Sequence, residues 1–172
     1  MSTTSVLVAY GTKNGSTAGI AEMIVSALRA DGLTAEARPA ADVPSIEGYD
    51  AVVLGGALYA GRWNRDARTF ARRHADALRN RPVWLFSSGP LDDSADRREI
   101  RPVAQVAKLS DRLGAVEHVT FGGRLTEDAK GFMAKAMVRG GKGGDFRNPG
   151  RIADWSHTIA KHLGTVVPST TD

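Results

Sequence analysis

The 172-residue chain contains no cysteine. That absence excludes a disulfide framework, a thiolate metal site and thiol redox chemistry, so any redox activity has to come from a bound cofactor. No apolar run approaches the roughly 20 residues of a membrane span. The opening stretch, MSTTSVLVAY, lacks the basic segment, long apolar core and small-residue cleavage site of a signal peptide, and a cytoplasmic protein is expected. No Ser-His-Asp set or paired general acid and base emerges, because His74, His118, His157 and His162 are scattered over helices and a strand edge; hydrolysis therefore has no support. Asp92, Asp93 and Asp96 have no histidine beside them and are read as acids that favour a helix start, so no metal site is expected.

What is present is enough for one domain with its own core, expected over residues 1–164, with 165–172 a flexible tail. The net charge is +4, and it is concentrated. Segment 124–151 carries seven cations, Arg124, Lys130, Lys135, Arg139, Lys142, Arg147 and Arg151, against Glu127, Asp128 and Asp145, so the remainder of the chain is neutral. A pI of about 9.7 favours negatively charged partners, though nothing points to nucleic acid.

Strands and helices alternate. Val6–Tyr10, Leu33–Ala37, Ala51–Leu54, Val83–Phe86 and Val116–Phe121 read as five short buried strands. Between them, Ile20, Met23, Ile24, Ala27 and Leu28 recur at helical spacing until Asp31-Gly32 ends the run. Ala67, Phe70, Ala71, Ala75 and Leu78 mark a second helix, Val103 to Leu113 behind Pro102 a third, and Ile152, Trp155, Ile159 and Leu163 the last. The stretch PAADVPSIEGYD reads as loop with one helical turn. Five strands buried on both faces and separated by helices imply a parallel sheet covered on both sides, with right-handed crossovers. One segment breaks the alternation: an insert at about 124–150, between the fifth strand and the last helix, is too long for a plain connection. Phe132, Met133, Ala136 and Met137 share one side of a helical stretch within it, followed by glycine-rich chain. Its charge suits a membrane surface, an acidic redox partner or plain solvent.

In an open α/β sheet ligands bind beyond the carboxyl ends of the strands. After the first strand, Thr12, Lys13, Asn14, Gly15, Ser16 and Thr17 place hydroxyls and successive backbone N–H groups at a helix start, a nest that suits a terminal phosphate monoester held without metal. The loop lacks the Gly-Lys of a Walker motif, and Gly11, Gly15 and Gly19 do not have dinucleotide-fold spacing. After the third strand, GGALYAGRWN offers glycines for close approach beside Tyr59 and Trp63; after the fourth, SSGPLDD is small enough to let backbone reach a flat ligand. Together these would suit stacking and main-chain hydrogen bonds to a flat heterocycle.

YGTKNGST resembles the phosphate loop of flavodoxins, T-x-T-G-x-T, with Asn14 in place of the middle Thr. The resemblance implies a three-layer flavodoxin-like sandwich with a five-stranded parallel sheet in the order 2-1-3-4-5. It also implies FMN, with phosphate contacts from Thr12, Lys13, Asn14, Gly15, Ser16 and Thr17. The ring would lie between Ala57, Leu58, Tyr59, Ala60 and Gly61 and Ser87, Ser88, Gly89, Pro90 and Leu91. More narrowly, the chain is similar to flavodoxin-type protoporphyrinogen dehydrogenases that use quinone. Leu58, Tyr59 and Gly61 follow a strand ending in Gly, with Tyr59 one position early. Gly123-Arg124-Leu125, Phe132 to Met137, Gly143-Gly144 and Asp154-Trp155 follow the fifth strand in the family's order, although the insert is richer in glycine and poorer in aromatics. This resemblance implies an oxidoreductase in which the flavin carries the chemistry, with no catalytic side chain. A porphyrinogen would be the donor, a quinone or protein the acceptor, and the insert could make peripheral contact with the inner face of the membrane. A non-enzymatic flavodoxin carrier between protein partners is the alternative, and a deazaflavin is the alternative cofactor.

Overall fold

The first strand, β1 (Ser5–Gly11), is apolar on both sides because Val6, Leu7, Val8 and Ala9 are all fully buried. In the computed structural model, which describes residues 3–12, 15–125, 139 and 144–164, it is the second strand of a parallel sheet. Helix α1 (Ser16–Ala30) follows a left-handed Gly15 (φ 82°), a turn that an L side chain rarely adopts. It ends where the amides of Asp31, Gly32 and Leu33 fold back onto the carbonyls of its last turn. The expected stripe faces inward, with Ile20, Ile24 and Leu28 fully buried.

The chain continues through β2 (Thr34–Pro39), a 3₁₀ turn at Ala40–Asp42, β3 (Ala51–Tyr59), β4 (Arg62–Trp63), α2 (Arg65–Arg73), α3 (Ala75–Arg79) and β5 (Val83–Ser88). Then come α4 (Ser94–Arg97), α5 (Ala104–Leu113), β6 (Glu117–Phe121), β7 (Arg124–Leu125), β8 (Gly144–Asp145) and α6 (Pro149–His162). The parallel strands run β2-β1-β3-β5-β6, the expected order once the hairpin strand β4 is counted apart. The sheet is covered on both faces. On one, Val6, Val8, Val53, Trp84, Phe86 and Phe121 pack against α1 and α6 around Trp155. On the other, Leu7, Val52, Leu54 and Leu85 pack against Phe70, Leu78, Val106 and Trp63.

Three departures from the sequence expectation bear on function. β3 does not stop at Leu54; it runs through Gly55 and Gly56 to Tyr59, because β1 and β5 pair with it on both sides. The two glycines admit the protein's own rings: a Cβ on Gly55 would lie 2.0 Å from Phe86, and one on Gly56 2.6 Å from Trp63. The expected second helix breaks at His74, whose ring packs on Phe70 with centroids 4.7 Å apart, giving α2 and α3. Finally, β7 and β8 pair antiparallel, Arg124 opposite Asp145, and close the base of the basic insert. The insert's expected helix and three of its cations, Lys130, Lys135 and Lys142, with the tail at 165–172, lie outside the described residues.

Candidate functional site

The carboxyl ends of β1, β3, β5 and β6 meet at one edge of the sheet, in register from Gly11 through Gly56 to Ser87 and from Ala57 through Ser88 to Phe121. At the β1 end, the Thr12 hydroxyl accepts the Gly15 amide at 3.0 Å and so shapes the turn into α1. Lys13 and Asn14 lie outside the described residues. The Ser16 hydroxyl is tied to the neighbouring loops, 3.2 Å from the Ser88 hydroxyl and accepting the Arg124 amide at 2.9 Å.

Thr17 differs. It is fully buried in the first turn of α1, and its hydroxyl has no partner among the described residues. A buried hydroxyl left unpaired costs about 1–3 kcal/mol. It stands where a helix leaves its first N–H groups unsatisfied and its dipole is positive. An anion seated here would answer both needs, so the residues present fit a phosphate.

At the other end of the edge, the chain turns sharply at Ala60 (φ 50°) and Gly61 (φ 76°), and β4 folds back with Leu58 opposite Trp63 and Tyr59 opposite Arg62. Tyr59 is thereby carried to the rim, 41 % exposed, whereas Trp63 is 1 % exposed beneath the sheet. Of the two aromatics singled out in this loop, only Tyr59 stands at the surface. Trp63 Nε1 donates to the Ser87 hydroxyl at 2.8 Å, and that hydroxyl lies 2.8 Å from His118 Nε2. Since the indole can only donate, Ser87 accepts from it and has its own proton for the imidazole. His118 is neutral, its pKa lowered by burial to about 4.

Ser87 and Ser88 therefore face opposite sides of the sheet, the first into the Trp63 core and the second toward Ser16. Ala57 is buried, Leu58 and Gly89 to Leu91 are half-buried, and Ala60 and Gly61 are exposed. The loops touch: a Cβ on Gly89 would sit 3.0 Å from Leu58, the Gly89 amide donates to the Phe121 carbonyl at 3.3 Å, and the Gly123 amide to that of Pro90 at 2.8 Å. This leaves a shallow, largely main-chain rim beside Tyr59, which suits the edge of a flat heterocycle.

The sequence reading missed a third element of the edge. The ribbon of β7 and β8 leads to Arg147, whose guanidinium clasps Asp145 through Nε at 2.9 Å and Nη2 at 2.8 Å. The pair holds the Asp145 carboxyl below its usual range, chiefly through the Arg147 hydrogen bond, and raises Arg147. The available signal was Gly19, a helix-weakening residue inside an otherwise regular amphipathic stretch. The acids after β5 behave as helix-start residues: Asp92 accepts the Ser94 amide and Asp93 pairs with Arg97. Among the described residues no metal-ligating cluster is present and no helix is long and apolar enough to cross a membrane.

A flavodoxin domain family profile matches residues 7–142. The chain is 29 % identical over 94 residues to the protoporphyrinogen IX dehydrogenase [quinone] of Escherichia coli strain K12, covering 54 % of this chain and 52 % of that protein, so the match spans about half of each. Its fold superposes on a cysteine-to-serine mutant of flavodoxin from Pseudomonas aeruginosa with a TM-score of 0.57 at 15 % identity, covering 90 % of this chain and 98 % of that one. Oxidised flavodoxin 1 from Bacillus cereus gives 0.58 at 17 % identity, covering 93 % and 99 %. Rubredoxin oxygen:oxidoreductase from Desulfovibrio gigas gives 0.63 at 13 % identity, covering 96 % of this chain and 37 % of the larger protein.

Proposed function

The chain belongs to the flavodoxin domain family, whose cofactor is FMN, and on that premise we propose that it is an oxidoreductase taking electrons from a porphyrinogen-type donor and delivering them to a quinone. The observation that carries the cofactor site is the buried Thr17 hydroxyl in the first turn of α1, which has no partner among the described residues. The half-length match to the quinone-dependent dehydrogenase supports the choice of substrate and acceptor.

In this reading Thr12, Gly15, Ser16 and Thr17, with Lys13 and Asn14, hold the phosphate through hydroxyls and amides. Leu58 to Gly61 and Gly89 to Leu91 frame the ring, while buried Ala57, Ser87 and Ser88 fix the strand ends behind it. Tyr59, exposed at the rim, would shield the ring from water. Bound FMN would supply the electron-accepting centre; the protein's residues bind, orient and shield it. The basic insert would attract an anionic donor, such as a porphyrinogen with its carboxylates, or an anionic membrane surface.

The test is to supply FMN-loaded protein with protoporphyrinogen under anaerobic conditions and follow porphyrin fluorescence with and without a soluble quinone. Quinone-dependent porphyrin formation is expected. No oxidation with any quinone, together with rapid cytochrome c reduction through a flavodoxin reductase, would make the protein an electron carrier instead.

A further inference from the structure

The segment after β8 lies against the start of α1. A Cβ built on Gly19 would lie 2.1 Å from Arg147 Nη1, so the missing side chain is what lets the guanidinium rest on the first turns of the helix. Arg147 is held firmly there. Its side chain is 11 % exposed, its Nε and Nη2 are bound by Asp145, the Phe146 amide donates to the Gly123 carbonyl at 2.9 Å, and the next residue, Asn148, caps α6 by accepting the Arg151 amide at 3.0 Å. Nη1, the nitrogen turned to α1, has no acceptor among the described residues.

A cation beside the first turn of a helix sits at the wrong end of the dipole. The situation is doubled here, because α6 packs beside α1 and both helices start at the carboxyl edge of the sheet. Among the described residues, two helix starts, Arg147 and the neighbouring Arg124 face one carboxylate, Asp145. A lock that only pinned the ribbon would not need a guanidinium nitrogen aimed at α1, or a glycine to receive it. The Thr17 hydroxyl in the same turn is fully buried and has no partner among the described residues. A doubly charged oxyanion at this helix start would accept from the hydroxyl and the first-turn amides and offset the cation that flanks them.

We infer that Arg147 is the charge partner of the phosphate monoester held at the start of α1, admitted by Gly19 and aimed by Asp145. This rests on the reading of that helix start as the FMN phosphate site. Hydroxyls and amides can hold a phosphate without cationic help, but a bidentate-anchored arginine adds a charge-assisted bond and makes binding depend on salt. It also places the base of the basic insert at the cofactor, since Arg124, Asp145 and Arg147 all belong to the closing ribbon.

The experiment compares FMN and riboflavin, which differ only in the phosphate, as quenchable ligands of the apoprotein at low and moderate salt. Arg147→Gln is expected to weaken FMN about tenfold at low salt, leave riboflavin within about twofold, and flatten the salt dependence of FMN binding, with Arg147→Lys recovering part of the loss. Gly19→Ala keeps the Arg147–Asp145 pair but pushes the guanidinium off the helix; it should show the same FMN-selective loss without lowering the melting temperature of the apoprotein. Equal losses for both ligands in Arg147→Gln, or no loss in either variant, would overturn the inference and leave Arg147 a lock on the ribbon. Thr17→Val separates this failure from a deeper one. If Thr17→Val is FMN-selective while the Arg147 and Gly19 variants are not, only the arginine's role falls. If Thr17→Val also fails to distinguish the two ligands, the phosphate site itself is misplaced.

Discussion

Thr17 and Ser87 are both buried hydroxyls at the carboxyl edge of the sheet, yet Ser87 has two partners and Thr17 has none among the described residues. Ser87 accepts from the Trp63 indole and reaches the His118 imidazole, completing a chain from the hairpin to the edge strand. Every group in that link except His118 Nδ1 is satisfied, so the link needs nothing from outside and serves the architecture. Thr17 leaves a cost of about 1–3 kcal/mol uncompensated by the described residues, which a fold retains only where something else offsets it. Pairing, rather than burial or residue type, separates the hydroxyl that builds the edge from the one proposed to hold the phosphate.

That contrast is sharpest on removal of Ser87. Ser87→Ala strands both the Trp63 N–H and the His118 acceptor in the core, and it should cost about 2–4 kcal/mol of unfolding free energy in urea titrations. An unchanged midpoint would mean that the link is not structural, and the contrast would fail.

The same link should make stability depend on acid. His118 ordinarily titrates near 6.5 and is held at about 4 by burial. The unfolded chain thus binds a proton that the folded one refuses. The stability this histidine permits is complete above about pH 6.5 and falls by up to about 3 kcal/mol as pH drops toward 4, with no further change below. Glu99, Glu117 and Arg151 line the same cavity of about 270 Å³ as His118, and they are common to wild type and to a variant at His118. The diagnostic quantity is therefore the difference in urea stability between about pH 7.5 and about pH 4.5, in wild type and in His118→Gln. The variant should show the smaller loss.

The smallest expected change lies at the other hydroxyl and has the opposite sign. Thr17→Val replaces a polar atom unpaired among the described residues by a methyl group of similar size, so the apoprotein should be unchanged or more stable by about 1 kcal/mol, while FMN binding weakens. A loss of apoprotein stability comparable to that of Ser87→Ala would show that Thr17 has a structural partner and would erase the distinction.

The alternation of short apolar runs with amphipathic helices was enough to set a parallel sheet covered on both faces, because a run buried on both faces can only be interior to such a sheet; the order β2-β1-β3-β5-β6 was anticipated only through the resemblance to flavodoxins. The loop proposed to hold the phosphate stands out for a similar reason: hydroxyls, a glycine and a helix start are local features, all within a few residues of one another. The roles of Gly55 and Gly56 were not. Close-approach glycines look the same in sequence whether they admit a ligand or a neighbouring side chain, and only packing revealed that Phe86 and Trp63 take that space. Trp63 and Tyr59, close together in the chain, were equal candidates until the hairpin turned one inward and left the other at the rim. Arg147 was one cation among seven in a basic segment, far along the chain from Gly19. Local sequence determines which elements form and which of their ends can bind an anion, since those follow from periodicity and backbone chemistry. Which side chain meets which across the sheet edge depends on register and on the fold of the ribbon, and only the tertiary structure decided it.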